Sequence, residues 1–269
     1  MKTQSDWVSQ FRELHGRGKI LVLPNAWDAA SARLIQDAGA KAVATSSAAV
    51  AWSNGYADGE GMSRAVAIAA TKEVLRVVTV PVTIDNEAGY ASDPATVAAH
   101  AMELIEMGVA GINIEDSTEP ADLLAAKIRA IKAAAKARGA DIFINARADV
   151  YLKNLVPDDK KLTEIVRRAK LYTEAGADGI FAAFVNDVAD IRAIVAATDL
   201  PVNILANAKA PDVATLKAAG VRRLTVGALT GRAAYGQALR GVKMLLDDGK
   251  YDAIFATASD CPDFNKAFG

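Results

Sequence analysis

Short runs of apolar, largely β-branched residues recur along the chain at 20–24 (ILVLP), 41–45 (KAVAT), 80–84 (VPVTI) and 110–114 (AGINI). They recur again at 141–145 (DIFIN), 178–182 (DGIFA), 200–204 (LPVNI) and 222–226 (RRLTV). The runs are nearly continuous in apolar residues and do not alternate, the pattern of parallel strands covered on both faces. Between them the apolar positions return at helical spacing, as in 28–38, 94–107 and 159–175. Gly39, Gly108, Gly176 and Gly220 each close such a segment just before a strand, where a helix ends on a left-handed residue. Their surroundings (DAGAKAV, EMGVAGI, EAGADGI, AAGVRRL) form a weak repeat, too irregular in spacing for a solenoid. Asp93-Pro94 reads as a helix cap followed by a first-turn proline, and Asp122 and Pro211-Asp212 read as further helix starts.

Eight strand–helix units in 269 residues predict an α/β fold, a closed (β/α)8 TIM barrel, over an open doubly wound sheet. The barrel is expected over about 18–248 of a single catalytic domain spanning 1–269, since no Pro-, Gly- or Ser-rich linker divides the chain. The last segment, 249–269, carries Tyr251, Ile254, Phe255, Phe264 and Phe268. It is expected to be a helical extension that covers the barrel's own flank or is swapped onto another subunit.

Composition narrows the partners. Apolar residues make up 52% of the chain, enough for a large core, and Lys+Arg 31 against Asp+Glu 32 leaves a net charge of −1. That balance calls for neither nucleic acid nor an anionic membrane surface. Lys127, Arg129, Lys132, Lys136 and Arg138 cluster, but Leu124, Ile128, Ile131 and Ala135 lie between them at helical spacing, so they read as the solvated face of an amphipathic helix. Cys261 is the one cysteine, which excludes an intrachain disulfide and a cysteine-rich zinc site and suggests a reducing compartment. The polar first residues contain no apolar signal core and no apolar stretch is of spanning length, so a cytoplasmic protein is expected.

The chemistry gathers where a barrel keeps its active site, at the carboxyl ends of the strands. Those ends read Asn25 with Trp27-Asp28, Thr45-Ser46-Ser47-Ala48, Asp85-Asn86-Glu87, Glu115-Asp116, Asn145-Ala146-Arg147, and Asn203 with Asn207 beyond it. Period-two spacing places Asp85 and Glu87 on one side of an extended segment, and Glu115 comes from the neighbouring strand. Three carboxylates in a partly dehydrated mouth repel one another unless a cation sits among them. A hard, oxygen-ligated ion is the natural answer, Mg²⁺ with Mn²⁺ as an alternative. Asp58, in the long loop after the second strand, is a fourth candidate, able to hold a metal-bound water. Arg147 adds a permanently charged fork for a carboxylate or enolate oxygen. Ser46, Ser47 and Ala48 are small enough for backbone N–H groups to approach an anion closely. His15 and His100 fall away from the strand ends and read as surface or packing residues, which argues against a histidine triad or zinc site.

The segments LVLPNAWDAASARL, TSSAAVAWSNGYADGE, VPVTIDNEAGY, GINIEDS and INARADVYL, in this order and spacing, resemble the isocitrate lyase/phosphoenolpyruvate mutase family over about residues 14–245. The resemblance implies Mg²⁺ held, directly or through water, by Asp85, Glu87 and Glu115, with Asp58 near the substrate and the metal waters. It also implies a substrate carboxylate on Ser46, Ser47 and Ala48, Arg147 on the substrate, and subunits that pair by exchanging their last helix, in a dimer or tetramer. Isocitrate and methylisocitrate lyases carry a K-[KR]-C-G-H lid motif whose cysteine is the catalytic acid. Here Glu115-Asp116 is followed only by Ser117-Thr118-Glu119-Pro120 before a helix, which argues against those two activities. The longer lid of the phosphonate enzymes, with its Lys and Asn groups, is not found either.

The expected reaction is therefore Mg²⁺-dependent cleavage of a C–C bond in a small 2-oxo or 2-hydroxy di-acid through a pyruvate-type enolate, as in oxaloacetate decarboxylation. Asp58, Arg147 and Glu115 are the expected catalytic residues, and Ser46, Ser47, Ala48, Asp85, Arg147 and Asn203 the substrate contacts. Two alternatives stand beside it: phosphonopyruvate hydrolysis or phosphoenolpyruvate rearrangement, and a non-catalytic binder of 2-oxo acids.

Overall fold

The computed structural model describes residues 2–269. Helix α1 (Gln4–Leu14) comes first, with a reciprocal cap in which Thr3 Oγ1 accepts from the Asp6 N–H and the Asp6 carboxylate accepts from the Thr3 N–H. Strands β1 (Leu21–Leu23) and β2 (Asn25–Ala26) are two halves of one stave, parted at Pro24, which has no N–H for a ladder. Strand β3 (Val43–Thr45) pairs with β2, and β9 (Arg223–Thr225) pairs with β1, so this divided stave closes the sheet on itself. Strands β4 (Val82–Asp85), β5 (Gly111–Glu115), β6 (Phe143–Ala148), β7 (Gly179–Ala182) and β8 (Val202–Leu205) follow in order, every pairing parallel. The result is the expected TIM barrel, with nine strand segments forming eight staves.

The helices fall between the strands as the periodicity predicts. They are α2 (Ala29–Asp37), α3 (Ser47–Ser53), α4 (Arg64–Val77), α5 (Pro94–Glu106), α6 (Ala121–Ala137), α7 (Lys161–Ala175), α8 (Val188–Ala196) and α9 (Val213–Ala218). Asp93 caps α5 by accepting from the Thr96 N–H, and Asp212 caps α9 by accepting from the Thr215 N–H, both at 2.8 Å. Gly39, Gly108, Gly176 and Gly220 have φ of 98°, 97°, 101° and 89°, the left-handed conformation expected of them. Asp122 departs from expectation: α6 starts at Ala121 after Pro120, so Asp122 lies within the first turn, where it favours the helix dipole without capping.

Two sets of side chains divide the interior. Ile84, Ile112, Ile114, Ile144, Ile180 and Ile204 point outward and are buried against Leu104, Ile105, Ile128, Ile131, Ile165 and Ile191 of the helices. Each such side chain contributes about 1.5–3 kcal/mol of transfer free energy. Inside the barrel, α1 closes the amino-terminal end: Phe11 packs with Leu21, Leu23, Ala42, Ala44, Ala110 and Phe143. Gly111 permits this, because a Cβ there would lie 3.0 Å from the Phe11 ring. His15 belongs to this plug, stacked on Phe143 at 4.5 Å between centroids, with Nδ1 donating to the Phe11 carbonyl at 2.7 Å. Above the plug the interior turns polar, with Thr83, Asn113, Asn145, Asn203, Arg223 and Thr225 all buried.

The basic stretch of α6 is only partly a solvated face. Lys127 is buried and donates to the Ala88 carbonyl at 2.8 Å, while Lys132 bridges Asp141, Asp178 and the Ile142 carbonyl. The long alkyl stems let both lysines run along an apolar surface and place their charge on acceptors of the neighbouring strand ends. After β9 comes α10 (Leu229–Asp248), ended by Gly249 at φ 62°, then α11 (Asp252–Ala258) and α12 (Phe264–Phe268). Helix α11 leans on α10 where Ile254 meets Gly241, and α12 touches α2 through Arg33 and the Ala267 carbonyl. Leu246 and Phe255 remain 77% and 66% exposed, so this extension leaves an apolar face uncovered within one chain. No helix among the described residues is long and apolar enough to cross a membrane.

Candidate active site

Four strand ends build the mouth. Asp85 is the last residue of β4, and its N–H donates to Thr45 Oγ1 at 3.0 Å, which ties that end to β3. Helix α3 begins directly after β3, and Ser47 in its first turn gives both its N–H, at 3.1 Å, and its hydroxyl, at 2.9 Å, to Asp85 Oδ2. Ser46 is buried as the residue before α3, with its N–H on the Ala26 carbonyl at 3.1 Å, and Ala48 follows in the first turn. Of the small triplet, the Ser47 N–H and hydroxyl reach the mouth and are engaged by Asp85, while the Ser46 N–H is spent on the Ala26 carbonyl.

Glu87 lies on the connection from β4 to α5, in a strained turn that its neighbours hold in place. Glu87 and Tyr90 have φ of 46° and 58°, and Gly89 between them has 98°. Left-handed conformations at non-glycine residues are costly and gather at functional sites. The loop from α3 to α4 folds over this turn: the Glu60 N–H donates to Glu87, and the Tyr90 N–H donates to Glu60 Oε1 at 3.0 Å. Burial, followed by the charge of Asp85, pushes the Glu87 carboxyl up to about 7. Asp58 lies exposed in the same loop, close enough for its charge to raise Glu87 further.

Glu115 ends β5 in register with Arg147 of β6, and Arg147 Nη1 is ion-paired with Glu115 Oε2 at 2.8 Å. The rest of the fork is taken by Asp149: Nε donates to Oδ1 at 2.6 Å and Nη2 to Oδ2 at 3.1 Å. Burial drives the Glu115 carboxyl upward against the pull of Arg147, and Asp149, Asp85 and Glu87 add to the rise. Asp149 is held in turn, its N–H donating to Asp116 Oδ1 at 2.9 Å, and Asp116 Oδ2 takes Arg168 Nη1 at 2.7 Å and the Tyr172 hydroxyl. Asp116 is therefore a buried anchor that ties β5 to β6 and α7, and no part of it faces the mouth.

Asn203 sits deeper than the other candidates, inside the barrel in register with Arg223, with Nδ2 unpartnered among the described residues. Asp85, Glu87, Glu115 and Arg147 do meet at one mouth, close enough for their charges to act on one another. His15 and His100 are packing residues, His100 through Nδ1 on the Gly89 carbonyl at 3.0 Å.

Among the described residues, no three carboxylate, imidazole or thiol groups form a ready metal cage. Each acid of the trio is turned to a different neighbour: Asp85 to Ser47, Glu87 to the Glu60 N–H, Glu115 to Arg147. The donor set nevertheless suits a hard cation, because it offers carboxylate oxygens and Mg²⁺ needs only one or two of them beside water. The excess of acid over base at the mouth points the same way. Asp85, Glu87, Glu115 and Asp149 outnumber the guanidinium groups of Arg147 and the deeper Arg223, and burial, with the neighbouring carboxylates adding to it, drives Glu87 and Glu115 toward protonation.

The model of the phosphoenolpyruvate phosphomutase family matches residues 11–246, which takes in every stave and the whole mouth. The chain belongs to the isocitrate lyase/phosphoenolpyruvate mutase family. An uncharacterized protein of Mycobacterium tuberculosis (strain H37Rv) is 37% identical over 226 residues, covering 81% of this chain and 82% of that one. The 2-methylisocitrate lyase of Bacillus subtilis (strain 168) is 29% identical over 218 residues, covering 76% and 68%. An oxaloacetate decarboxylase of Pseudomonas aeruginosa (strain LESB58) is 30% identical over 177 residues, covering 61% and 58%. Among solved structures, a Burkholderia cenocepacia chain assigned provisionally as a phosphonomutase superposes with a TM-score of 0.82 at 39% identity, covering 92% of this chain and 100% of that one. Family membership marks the chain as an enzyme of the lyase/mutase kind.

Sequence reasoning missed Asp149, Glu60, Tyr90 and Lys127. The expectation that Asp85 and Glu87 share one side of an extended segment is not met, because β4 ends at Asp85 and Glu87 lies in a left-handed turn; the same spacing rule would have paired Arg147 with Asp149. Glu60 and Tyr90 end the TSSAAVAWSNGYADGE and VPVTIDNEAGY segments that carry the resemblance, which was the signal available for them, whereas Lys127 carries none because helix packing brings it to the site.

Proposed function

We propose that this chain is a Mg²⁺-dependent lyase that cleaves a C–C bond of a small 2-oxo or 2-hydroxy di-acid through a pyruvate-type enolate; in oxaloacetate decarboxylation the C3–C4 bond breaks, CO2 leaves and its bonding pair stays on the pyruvate fragment as the enolate. The observation that carries the reading is the acidic mouth with Arg147 fixed between Glu115 and Asp149. A Mg²⁺ ion held by Asp85, with Glu87 and Glu115 behind it, would supply a Lewis acid for the oxygen on which charge develops. Arg147 faces the same charge as a preorganised donor, and removing one such donor typically costs about 3–4 kcal/mol of transition-state stabilisation. The N–H groups of the first turn of α3, at Ser47 and Ala48, and the free amide donor of Asn203 are the groups suited to a substrate carboxylate. Asp58, on the loop above Glu87, is suited to orient water or substrate at the rim. Glu115, raised by its surroundings and within reach of Arg147, is the group best placed to hold a proton.

The short turn after β5 supports a lyase whose leaving fragment needs little help. Only residues 116–120 separate β5 from α6, so no long lid can bring a separate acid over the mouth from there. Relatives described as an oxaloacetate decarboxylase and as 2-methylisocitrate lyases support action on small di-acids. The likeness to the chain provisionally assigned as a phosphonomutase favours phosphonopyruvate as the second substrate to try. The uncovered apolar face of α10 and α11 supports a homo-oligomer, a dimer or tetramer in which the extension packs on another subunit.

The deciding experiment follows pyruvate release from oxaloacetate, substituted malates and phosphonopyruvate with Mg²⁺ present, against EDTA and Asp85→Ala controls. Release above the metal-only background, lost in both controls, is expected for one di-acid. Phosphate together with pyruvate from phosphonopyruvate would replace the C–C reading by the hydrolase. Thermal stabilisation by a 2-oxo acid without product would leave a binder.

A further inference from the structure

Arg223 lies inside the barrel on β9, wholly shielded from solvent, between the Phe11 plug and the acidic mouth. A buried guanidinium is costly unless it is paired and fully hydrogen-bonded. Here the side chain donates from Nη2 to Asn113 Oδ1 at 3.1 Å, while Nε and Nη1 have no partner among the described residues. The Phe11 ring lies 5.8 Å from the guanidinium carbon on one side, and the charge that opposes its burial is that of Asp85 on the other.

Asn113 stands between the two. Its Oδ1 accepts from Arg223 and also from Asn145 Nδ2 at 2.9 Å. Two donors on one amide oxygen decide which way the amide faces. Asn113 Nδ2 is thereby turned toward Asp85 Oδ1, 3.5 Å away, while Asp85 Oδ2 takes the two Ser47 donors. An inverted Asn113 would set its NH₂ against a guanidinium and its oxygen against a carboxylate, two repulsive contacts at once.

We propose that Arg223 is a positioning residue for the cation site: by fixing the Asn113 amide it holds the Asp85 carboxylate with its remaining lone pairs toward the mouth. Arg223 touches neither cation nor substrate. The inference rests on the reading of Asp85 as a cation ligand. It gives a role to a buried charge that the proposed reaction does not otherwise use.

The test titrates Mn²⁺ into the metal-free full chain without substrate and reads free Mn²⁺ by electron paramagnetic resonance. Arg223→Met and Asn113→Ala should each weaken Mn²⁺ binding by about tenfold, the usual effect of losing a group that orients a ligand. The double variant should bind within about twofold of the weaker single one, because both act through one path. Arg223→Lys should recover part of the affinity. Asp85→Asn separates the two readings. If Asp85→Asn leaves Mn²⁺ affinity unchanged, the ligand reading itself fails. If Asp85→Asn weakens binding but Arg223→Met leaves it unchanged or tightens it, or if the double loss is additive, the positioning role is overturned. Unchanged affinity in Asn113→Ala overturns it as well, so the test survives an Arg223→Met chain that does not fold.

Discussion

Arg147 turns all three nitrogens of its guanidinium to two carboxylates, Nε and Nη2 hydrogen-bonded to Asp149 and Nη1 ion-paired with Glu115. A planar fork can do this and an ammonium cannot, which makes lysine a poor replacement despite its charge. Arg147→Lys is expected to lower kcat/KM on the responding substrate by about 10²–10³-fold, the usual effect of losing one fixed donor. Circular dichroism should show the fold retained. A kcat/KM within threefold of the parent would mean that Arg147 serves the barrel rim and not the reaction. The residue types at the mouth were legible in the sequence because barrels put their chemistry at strand ends, though Glu87 reaches it from a left-handed turn and not from the period of the strand. Their pairings were not legible. Ser47 could be read as an anion binder, yet its donors lie on Asp85, a choice made by the approach of α3 to β4.

Two elements set the site from either side. The β4–α5 turn carries Glu87, Gly89 and Tyr90, all left-handed, and a Cβ on Gly89 would come within 2.7 Å of Val97. Gly89→Ala should therefore cost about 1–3 kcal/mol by denaturant unfolding, and it should lower activity beyond that by shifting Glu87. Unchanged stability would show that the turn relaxes freely. Below the barrel, α1 seals the interior with Phe11 and His15, and burial followed by the charge of Arg223 holds the His15 imidazole down at about 3. In the unfolded chain a histidine titrates near 6.5. Between about pH 6.5 and 3 the unfolded state thus binds the extra proton, so stability is full above that window and falls as pH drops through it. Chemical unfolding at pH 7 and pH 4.5 should differ by roughly 2 kcal/mol on this account. His15→Gln should remove that part of the difference, whatever it does to stability at pH 7. An unaltered acid limb in the variant would assign the loss to other groups. The strands, the glycine caps and the Asp93 and Asp212 starts were all legible, since each depends on neighbours in the chain. The α6 lysines were misread, because helical spacing cannot show that Lys127 and Lys132 reach acceptors on other elements.

For the whole molecule, the open question is what covers α10 and α11. Leu239, Leu245, Leu246, Tyr251 and Phe255 are exposed together, and large apolar patches on soluble chains mark interaction surfaces. The chain is expected to sediment as a dimer or tetramer, and Leu246→Asp with Phe255→Asp should shift it toward monomer without unfolding the barrel. A parent chain that sediments as a monomer at tens of micromolar would remove the swapped-arm proposal. Across the molecule, the sequence by itself determined the eight strand–helix units, their parallel order and the acidic residues at the strand ends. These follow from local periodicity and from a rule about where barrel chemistry lies. The tertiary structure alone decided that Arg147 is shared between Glu115 and Asp149 and that Glu60 closes on Glu87. It alone placed a buried Arg223 beneath Asp85 through Asn113. Apart from Arg147 with Asp149, two residues on, those contacts join residues 27 to 110 positions apart, and only the packing of strands and loops around the barrel brings them together.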